Sequence, residues 1–409
     1  MPLEMVLSWW RRRTLWEQAA LAVWAGALVA LCLPSLADPH NHSVYPVYES
    51  AGKNWLTGND LYPTEHKGPE FLFRYSPLVA AWFAPWSLLP DRLANVAWRL
   101  LNAGFFLVAL WWYCRRVLPA WLSKDQCAQL FLLCIPLVGA NIFNGQSNPL
   151  VLGLILLCTA GVAASRWNLA ALALALACTL KVYPVALGLL LMIRYPRSFA
   201  PRFLLAMAIG AALPFILQDR QYVLAQYGYW LQHMRNNDRH GNEIWNWPHD
   251  PRLLLHCLGF ELSYTGYLLM EAAVGCFIAF LCGAAWLSSV SARTLLNLST
   301  CLTCCWMTAF GPSTESCTYC LVAPVLGWLL VDRDRHGTWL RAATWCAYAT
   351  LCVPIAAGWV GLHHETYMLP WQPLGGIVLF LCVVVVAFHA MRTDRQLVLH
   401  PSQPLAPAA

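Results

Sequence analysis

The chain has 409 residues, of which 59% are hydrophobic and only 11% charged, where a soluble domain carries about 25% charged residues. Apolar runs near or above the roughly 20-residue spanning length recur along most of it, which excludes a soluble globular protein and makes lipid the main solvent. The net charge of +6 does not point to nucleic acid, because the arginines stand in short clusters beside apolar runs, as topology signals do.

The runs are continuous and rich in Leu and Ala, whereas a membrane barrel shows alternating segments of about ten residues. The fold class is therefore an all-α polytopic membrane protein. The 17 cysteines are scattered through apolar segments. Even "CLTCC" (Cys301, Cys304, Cys305) lacks a matching second pair or histidine, so they read as small core residues rather than metal ligands.

In chain order, "SWWRRRTLWEQAALAVWAGALVALCLPSLADPH" has the basic flank, apolar run and small-residue ending of a signal peptide. The run from Ala19 to Leu36 is longer than a usual signal core and reads as a retained first helix. About twelve membrane helices are expected, near 15–36, 77–89, 93–114, 126–142, 147–165, 168–193, 203–217, 263–289, 296–311, 317–331, 340–361 and 371–391. This count places both termini in the cytoplasm, with Arg11 to Arg13, the "RYPRSFAPR" turn, "DRDRHG" and Arg392 inside. Arg115 and Arg116 land outside against the charge rule, and the 77–89 segment is short enough to be re-entrant. The expected layout is a single membrane domain over 1–395 and a disordered tail at 396–409, rich in Pro and Ala.

Two long polar segments face the outside, Ala37 to Ser76 and Gln218 to Ser263. Both are rich in Trp, Tyr, His and Asn rather than Gly and Ser, so they read as ordered loops. The first holds Asp38, Glu49, Asp60, Glu65 and Glu70 among Tyr45, Tyr48, Trp55, Tyr62 and Tyr75. Carboxylates beside flat rings suit carbohydrate, since a carboxylate accepts hydroxyl hydrogen bonds and serves as a general base; a solvated aromatic belt has the same composition. "NIFNGQSNPL" supplies Asn141, Asn144, Gln146 and Asn148, either as binding amides or as interhelical hydrogen bonds.

"LALALACTLKVYPVALGLLLM" carries Lys181 and Pro184 in an apolar run. A lysine at a helix centre costs roughly 2.5–3.5 kcal/mol on insertion scales, so an intramembrane ionisable residue needs a named partner. A loop carboxylate or an anionic ligand such as a phosphate would serve. The second loop adds His233, Arg235, Arg239, His240, Trp245, Trp247, His249 and Asp250, at spacings that do not form a zinc motif. "GPSTESCTY" places Ser313, Thr314 and Glu315 between apolar runs, at the interface or in a cavity.

The order of "GNDLY", "FRYSPL", "NGQSN", "LKVYP" and the late "GPSTE", behind an acidic, Tyr-rich loop after the first helix, resembles glycosyltransferase family 87. The resemblance runs from about residue 15 to 390. It implies a GT-C-type bundle and an inverting transfer at the extracytoplasmic face of the plasma membrane. A hexose, mannose by analogy, would move from a polyprenyl-phosphate-linked donor to a hydroxyl of a glycan or glycolipid acceptor, with no metal or other cofactor. The family's first-loop base maps best to Asp38, with Glu49 and Asp60 as alternates. Donor phosphate falls to Lys181 and Arg74, with Arg235 and Arg239 behind them. Tyr45, Tyr48, Tyr75, Asn144, Gln146, Tyr183 and Glu315 are expected around the sugar and acceptor. Late family motifs hold a histidine where this chain has Thr314 and Glu315. The competing classes are a secondary transporter, which would show paired breaks in two halves, and a lipid-linked polysaccharide polymerase or ligase, whose large loop falls late in the chain.

Overall fold

The computed structural model describes residues 8, 10–40, 43–63, 73–235, 244, 247–288, 290–312, 314–332, 335–362 and 369–399, the last seven for backbone alone. Among these the chain is helical, with no strand. It is a multi-pass membrane protein. Six helices are long and apolar enough to cross a bilayer: Leu15–Ala37 (α1), Asp91–Arg116 (α4), Ala200–Leu217, Tyr264–Leu287 (α14), Thr338–Trp359 (α17) and the Trp371–Arg392 part of the last helix (α18), which runs to Leu399. Lys124–Leu133 (α5) and Ile135–Phe143 (α6), bent by 44°, make a seventh if counted together. The other apolar runs form shorter helices, so the expected count of about twelve full spans is not what the described residues show. The last helix also passes the expected domain limit at 395, and 400–409 lie outside the described residues.

Local chemistry starts several of these helices. Thr14 and Ser123 each cap a helix and exchange hydrogen bonds with Glu17 and Gln126 three residues on, closing capping boxes before α1 and α5. Small residues then let helices approach. A Cβ at Gly153 of Asn148–Ala163 (α7) would come within 2.8 Å of the Phe105 ring of α4. One at Gly161 would come within 3.2–3.3 Å of Ala170 on Trp167–Leu180 (α8). In lipid, where apolar burial does not drive helices together, such contacts and interhelical hydrogen bonds hold the bundle. Tyr113 donates to Asn297 at 2.7 Å, and the Thr159 and Thr300 hydroxyls meet at 3.0 Å.

The segment expected to cross at 77–89 does not cross. It folds as a short helix, Pro77–Phe83 (α3), and a 3-10 turn, Trp86–Leu88. These pack on the first-loop helix Tyr45–Thr57 (α2), where Tyr48 stacks on Phe83 at 4.7 Å and both rings meet Trp98. Gly52 of α2 lies so close that a Cβ would sit 2.6 Å from the Phe83 carbonyl oxygen. Backbone cannot yield as a side-chain tip can, so Gly52→Ala is expected to destabilise the protein by about 1–3 kcal/mol, read as a lower midpoint in thermal unfolding in detergent.

With no crossing at 77–89, the sidedness of α4 reverses. The carbonyl of Arg115 accepts from Arg293 at 3.1 Å, and Arg194 lies over Trp286 at 4.5 Å. Trp121, just past α4, donates to Asp332 and carries Arg335 on its ring face. Arg115 and Arg116 therefore share an end with the other arginine clusters, correcting the violation that the sequence reading left. The opposite end holds the first loop. There Arg99, 2% exposed, donates to Asn95 and, at 2.7 Å, to the Phe143 carbonyl. Asn95 in turn donates to the Pro39 carbonyl at 2.7 Å, and Trp98 to that of Gly145 at 2.8 Å. Gly145 has φ +63°, and its Cα faces Ser43 Oγ and the Tyr45 backbone. The glycine of "NGQSN" thus makes the turn on which the first loop rests.

Candidate functional site

The helix expected over 168–193 is an antiparallel hairpin. Pro184 lacks an N–H, its ring would clash with the carbonyl four residues back, and it disfavours helix at Tyr183. Arm α8 accordingly closes with Lys181 N donating to Ala177 at 2.9 Å, and Lys181 itself is extended at φ −146°, ψ 133°. The chain then reverses into Val185–Arg194 (α9), which starts after Pro184. At the hairpin's base Trp167 meets Tyr195 at 5.1 Å, and Arg202 donates to Asn168 at 2.8 Å. Lys181 is at the tip, not midway along a helix.

The tip opens into a cavity of about 390 Å³. Five segments wall it: Arg74–Ser76 before α3, the hairpin tip, Trp230 to Met234 of Arg220–Arg235 (α12), Pro248 to Arg252 at the start of Pro251–Cys257 (α13), and Tyr264 to Glu271 of α14. Val44, Gln146, Trp306, Pro312, Glu315 and Thr318 complete it. The second loop is thus ordered through α12 and α13 where it is described. Its elements reach back to the first loop: Gln218 donates to the Trp55 carbonyl at 2.7 Å, and Gln226 to Asp60 at 3.0 Å.

The charged groups fall into two clusters. In the first, Arg74 pairs with Glu315 at 3.2 Å, and Lys181 Nζ stands 5.5 Å from the Tyr75 ring centre. Among the described residues Lys181 makes no ion pair or hydrogen bond. Its neighbours are fixed, since Trp230 donates to the Arg74 carbonyl at 3.2 Å, Tyr62 to that of Tyr75 at 2.5 Å, and Ser76 to that of Thr179 at 3.2 Å. In the second cluster, Asp250 caps α13 by accepting from Arg252 N at 2.9 Å and Leu253 N at 3.4 Å. Glu271, 7% exposed, lies one turn after Tyr267, whose hydroxyl donates to the Gly311 carbonyl at 3.1 Å.

Of the residues expected from sequence, Arg74, Tyr75, Gln146, Lys181, Tyr183 and Glu315 line this cavity. Tyr45 and Tyr48 are buried in the aromatic cluster beneath the first loop, and Asn144 forms the turn that receives Val44 N at 2.9 Å. Asp38, Glu49 and Asp60 do not line it. Asp38 is the exposed C-terminal cap of α1 and accepts from His40 N at 3.0 Å. Glu49 is buried against Lys53 one turn on, and this hydrogen bond holds the Lys53 ammonium above its ordinary pKa. Asp60 is held by Gln226. Arg235 is an exposed residue at the end of α12, outside the lining, and Arg239 lies outside the described residues. The sequence reading missed Arg252 and Glu271. Glu271 had a usable signal, because it is the acidic residue of the apolar run Tyr264–Leu287 and the rule applied to Lys181 applies to it equally.

The family model for glycosyltransferase family 87 matches residues 73–312, more than half of the chain. The chain belongs to glycosyltransferase family 87. As a family 87 member it is a membrane glycosyltransferase, and the matched region holds Arg74, Gln146, Lys181, Asp250 and Glu271. No curated protein matches it. Among solved structures, ArnT from Cupriavidus metallidurans in the apo state is similar at 13% identity and a TM-score of 0.42, covering 95% of this chain and 81% of that one. The same enzyme bound to undecaprenyl phosphate gives 13% identity and a TM-score of 0.38, with the same coverage.

Proposed function

We propose that this family 87 protein transfers a hexose, mannose by the family resemblance, from a polyprenyl-phosphate sugar to an acceptor hydroxyl in the 390 Å³ cavity. The observation that carries the reading is Lys181, an ammonium at the tip of a broken hairpin with no anion of the described chain bonded to it. A lysine binds phosphate as a compact point charge, and its place at a cavity suits a ligand that brings the missing negative charge. Arg74 has five N–H donors, so its pairing with Glu315 leaves others for the same phosphate. Both cations would then stabilise charge growing on the leaving polyprenyl phosphate. Gln146, Tyr183 and Trp230 offer amide, hydroxyl and ring surfaces for the sugar.

The arginine-rich end of the bundle is the cytoplasmic one by the charge rule, so the cavity at the other end opens to the extracytoplasmic side of the plasma membrane. Single displacement inverts the anomeric centre and calls for a general base, a role a carboxylate can fill, to take the acceptor proton. Among the described residues Asp250, Glu271 and Glu315 are the carboxylates that line the cavity; Asp38, the base the family pattern suggests, is not among them.

Purified protein given a panel of radiolabelled polyprenyl-phosphate hexoses, with alkyl glycosides and lipid-linked glycans as acceptors, is expected to form labelled glycoside from at least one donor. No transfer from any donor, together with sugar flux in liposomes, would instead identify a secondary transporter.

A further inference from the structure

Each carboxylate that lines the cavity among the described residues has a different employment. Glu315 is held by the Arg74 guanidinium at 3.2 Å. Asp250 uses Oδ1 to cap α13, accepting from the backbone of Arg252 and Leu253. Glu271 is engaged in neither way: among the described residues its carboxylate makes no hydrogen bond or ion pair, and it is buried, with 7% of its surface exposed. A buried carboxylate oxygen without a donor is costly, and an apolar helix such as α14 gives no local reason to keep one. Its backbone is nevertheless fixed, since the Glu271 carbonyl accepts from Trp306 Nε1 at 3.0 Å and Tyr267 ties the preceding turn to Gly311. The carboxylate therefore stands on a fixed backbone at the cavity wall with an acceptor oxygen unfilled.

We infer that Glu271 is the catalytic base and that the acceptor hydroxyl is the donor its Oε1 lacks. This rests on the transferase reading above. The acceptor O–H proton passes to the Glu271 carboxylate as the oxygen forms a bond to the anomeric carbon. The bond from that carbon to the phosphate oxygen breaks, and its electron pair leaves with the polyprenyl phosphate at Lys181 and Arg74. The cationic cluster comes from the first loop and the hairpin tip, and Glu271 from α14, so base and leaving-group site are carried by separate elements of the cavity wall.

The test compares wild type, Glu271→Gln and Glu271→Asp with whichever labelled polyprenyl-phosphate hexose wild type uses. Binding of unlabelled undecaprenyl phosphate is measured in parallel as a readout of an intact fold and donor site. Glu271→Gln keeps the shape of the side chain and removes its basicity, so kcat is expected to fall about 10²–10⁴-fold with carrier binding unchanged, while Glu271→Asp retains more activity than Gln. Transfer by Glu271→Gln at the wild-type rate would overturn the assignment alone, as would parallel loss of carrier binding in Gln and Asp. A wild type that transfers nothing from any donor overturns the transferase reading, and the base with it.

Discussion

Lys181→Met is expected to raise the Kd for undecaprenyl phosphate by about tenfold to a hundredfold, the equivalent of a charged hydrogen bond worth ~1.5–3 kcal/mol. The same variant is expected to unfold at the wild-type temperature or above it. Lys181 has no ion pair or hydrogen bond within the described chain, so removing its charge strands no bonded partner. A structural ion pair predicts the reverse, because breaking a buried pair costs about 3–5 kcal/mol of stability. Binding by titration calorimetry and unfolding by scanning fluorimetry, on one preparation, separate the two. Unchanged carrier binding with lowered stability would remove the phosphate site from the hairpin tip.

Arg99→Met has the opposite profile. Arg99 is 2% exposed, touches none of the cavity, and supplies the Phe143 carbonyl and Asn95 with donors. Its loss removes two hydrogen bonds from a charged donor, each worth roughly 1.5–3 kcal/mol, so stability is expected to fall by about 3 kcal/mol. The effect should then reach the site. Asn95 holds Pro39, and Phe143 leads into the turn that presents Gln146 and receives Val44, both cavity residues. A reduced kcat/KM is therefore expected to accompany the lower unfolding temperature. Arg99→Lys should recover little of either, since an ammonium cannot reproduce the two-pronged geometry of a guanidinium. Wild-type stability in Arg99→Met would show that the first loop is held by other contacts.

The fold class was legible because composition and run length report the solvent directly. Connectivity was less so. Hydropathy is the same on both arms of the α8–α9 hairpin, so nothing apolar distinguishes a kinked helix from a reversal. Pro184 marked the break, but the reversal depends on how Trp167 packs on Tyr195 and Arg202 on Asn168. Arg115 and Arg116 carried information that the expected topology did not use: their misplacement followed from counting 77–89 as a crossing. The aromatic content of the loops suggested order, which their described parts show as α2, α12 and α13.

The site was partly legible for a related reason. Lys181 and Glu315 were flagged by charge near apolar runs and Arg74 by the family resemblance, and these residues from distant parts of the sequence line one cavity. The base was sought in the first loop by family pattern, and there Asp38, Glu49 and Asp60 turned out to serve a cap, an ion pair and a loop contact. Glu271 satisfied the intramembrane-charge rule as fully as Lys181 but has no proline beside it to draw attention.

The hairpin also constrains how the chain enters a bilayer during synthesis. Its arms of 14 and 10 residues reach about 21 and 15 Å at 1.5 Å per residue, short of the roughly 30 Å hydrocarbon thickness. Neither arm can be handed to lipid as a finished span. The pair is completed instead by its packing on α7 and on the helix starting at Ala200, whose Arg202 closes its base.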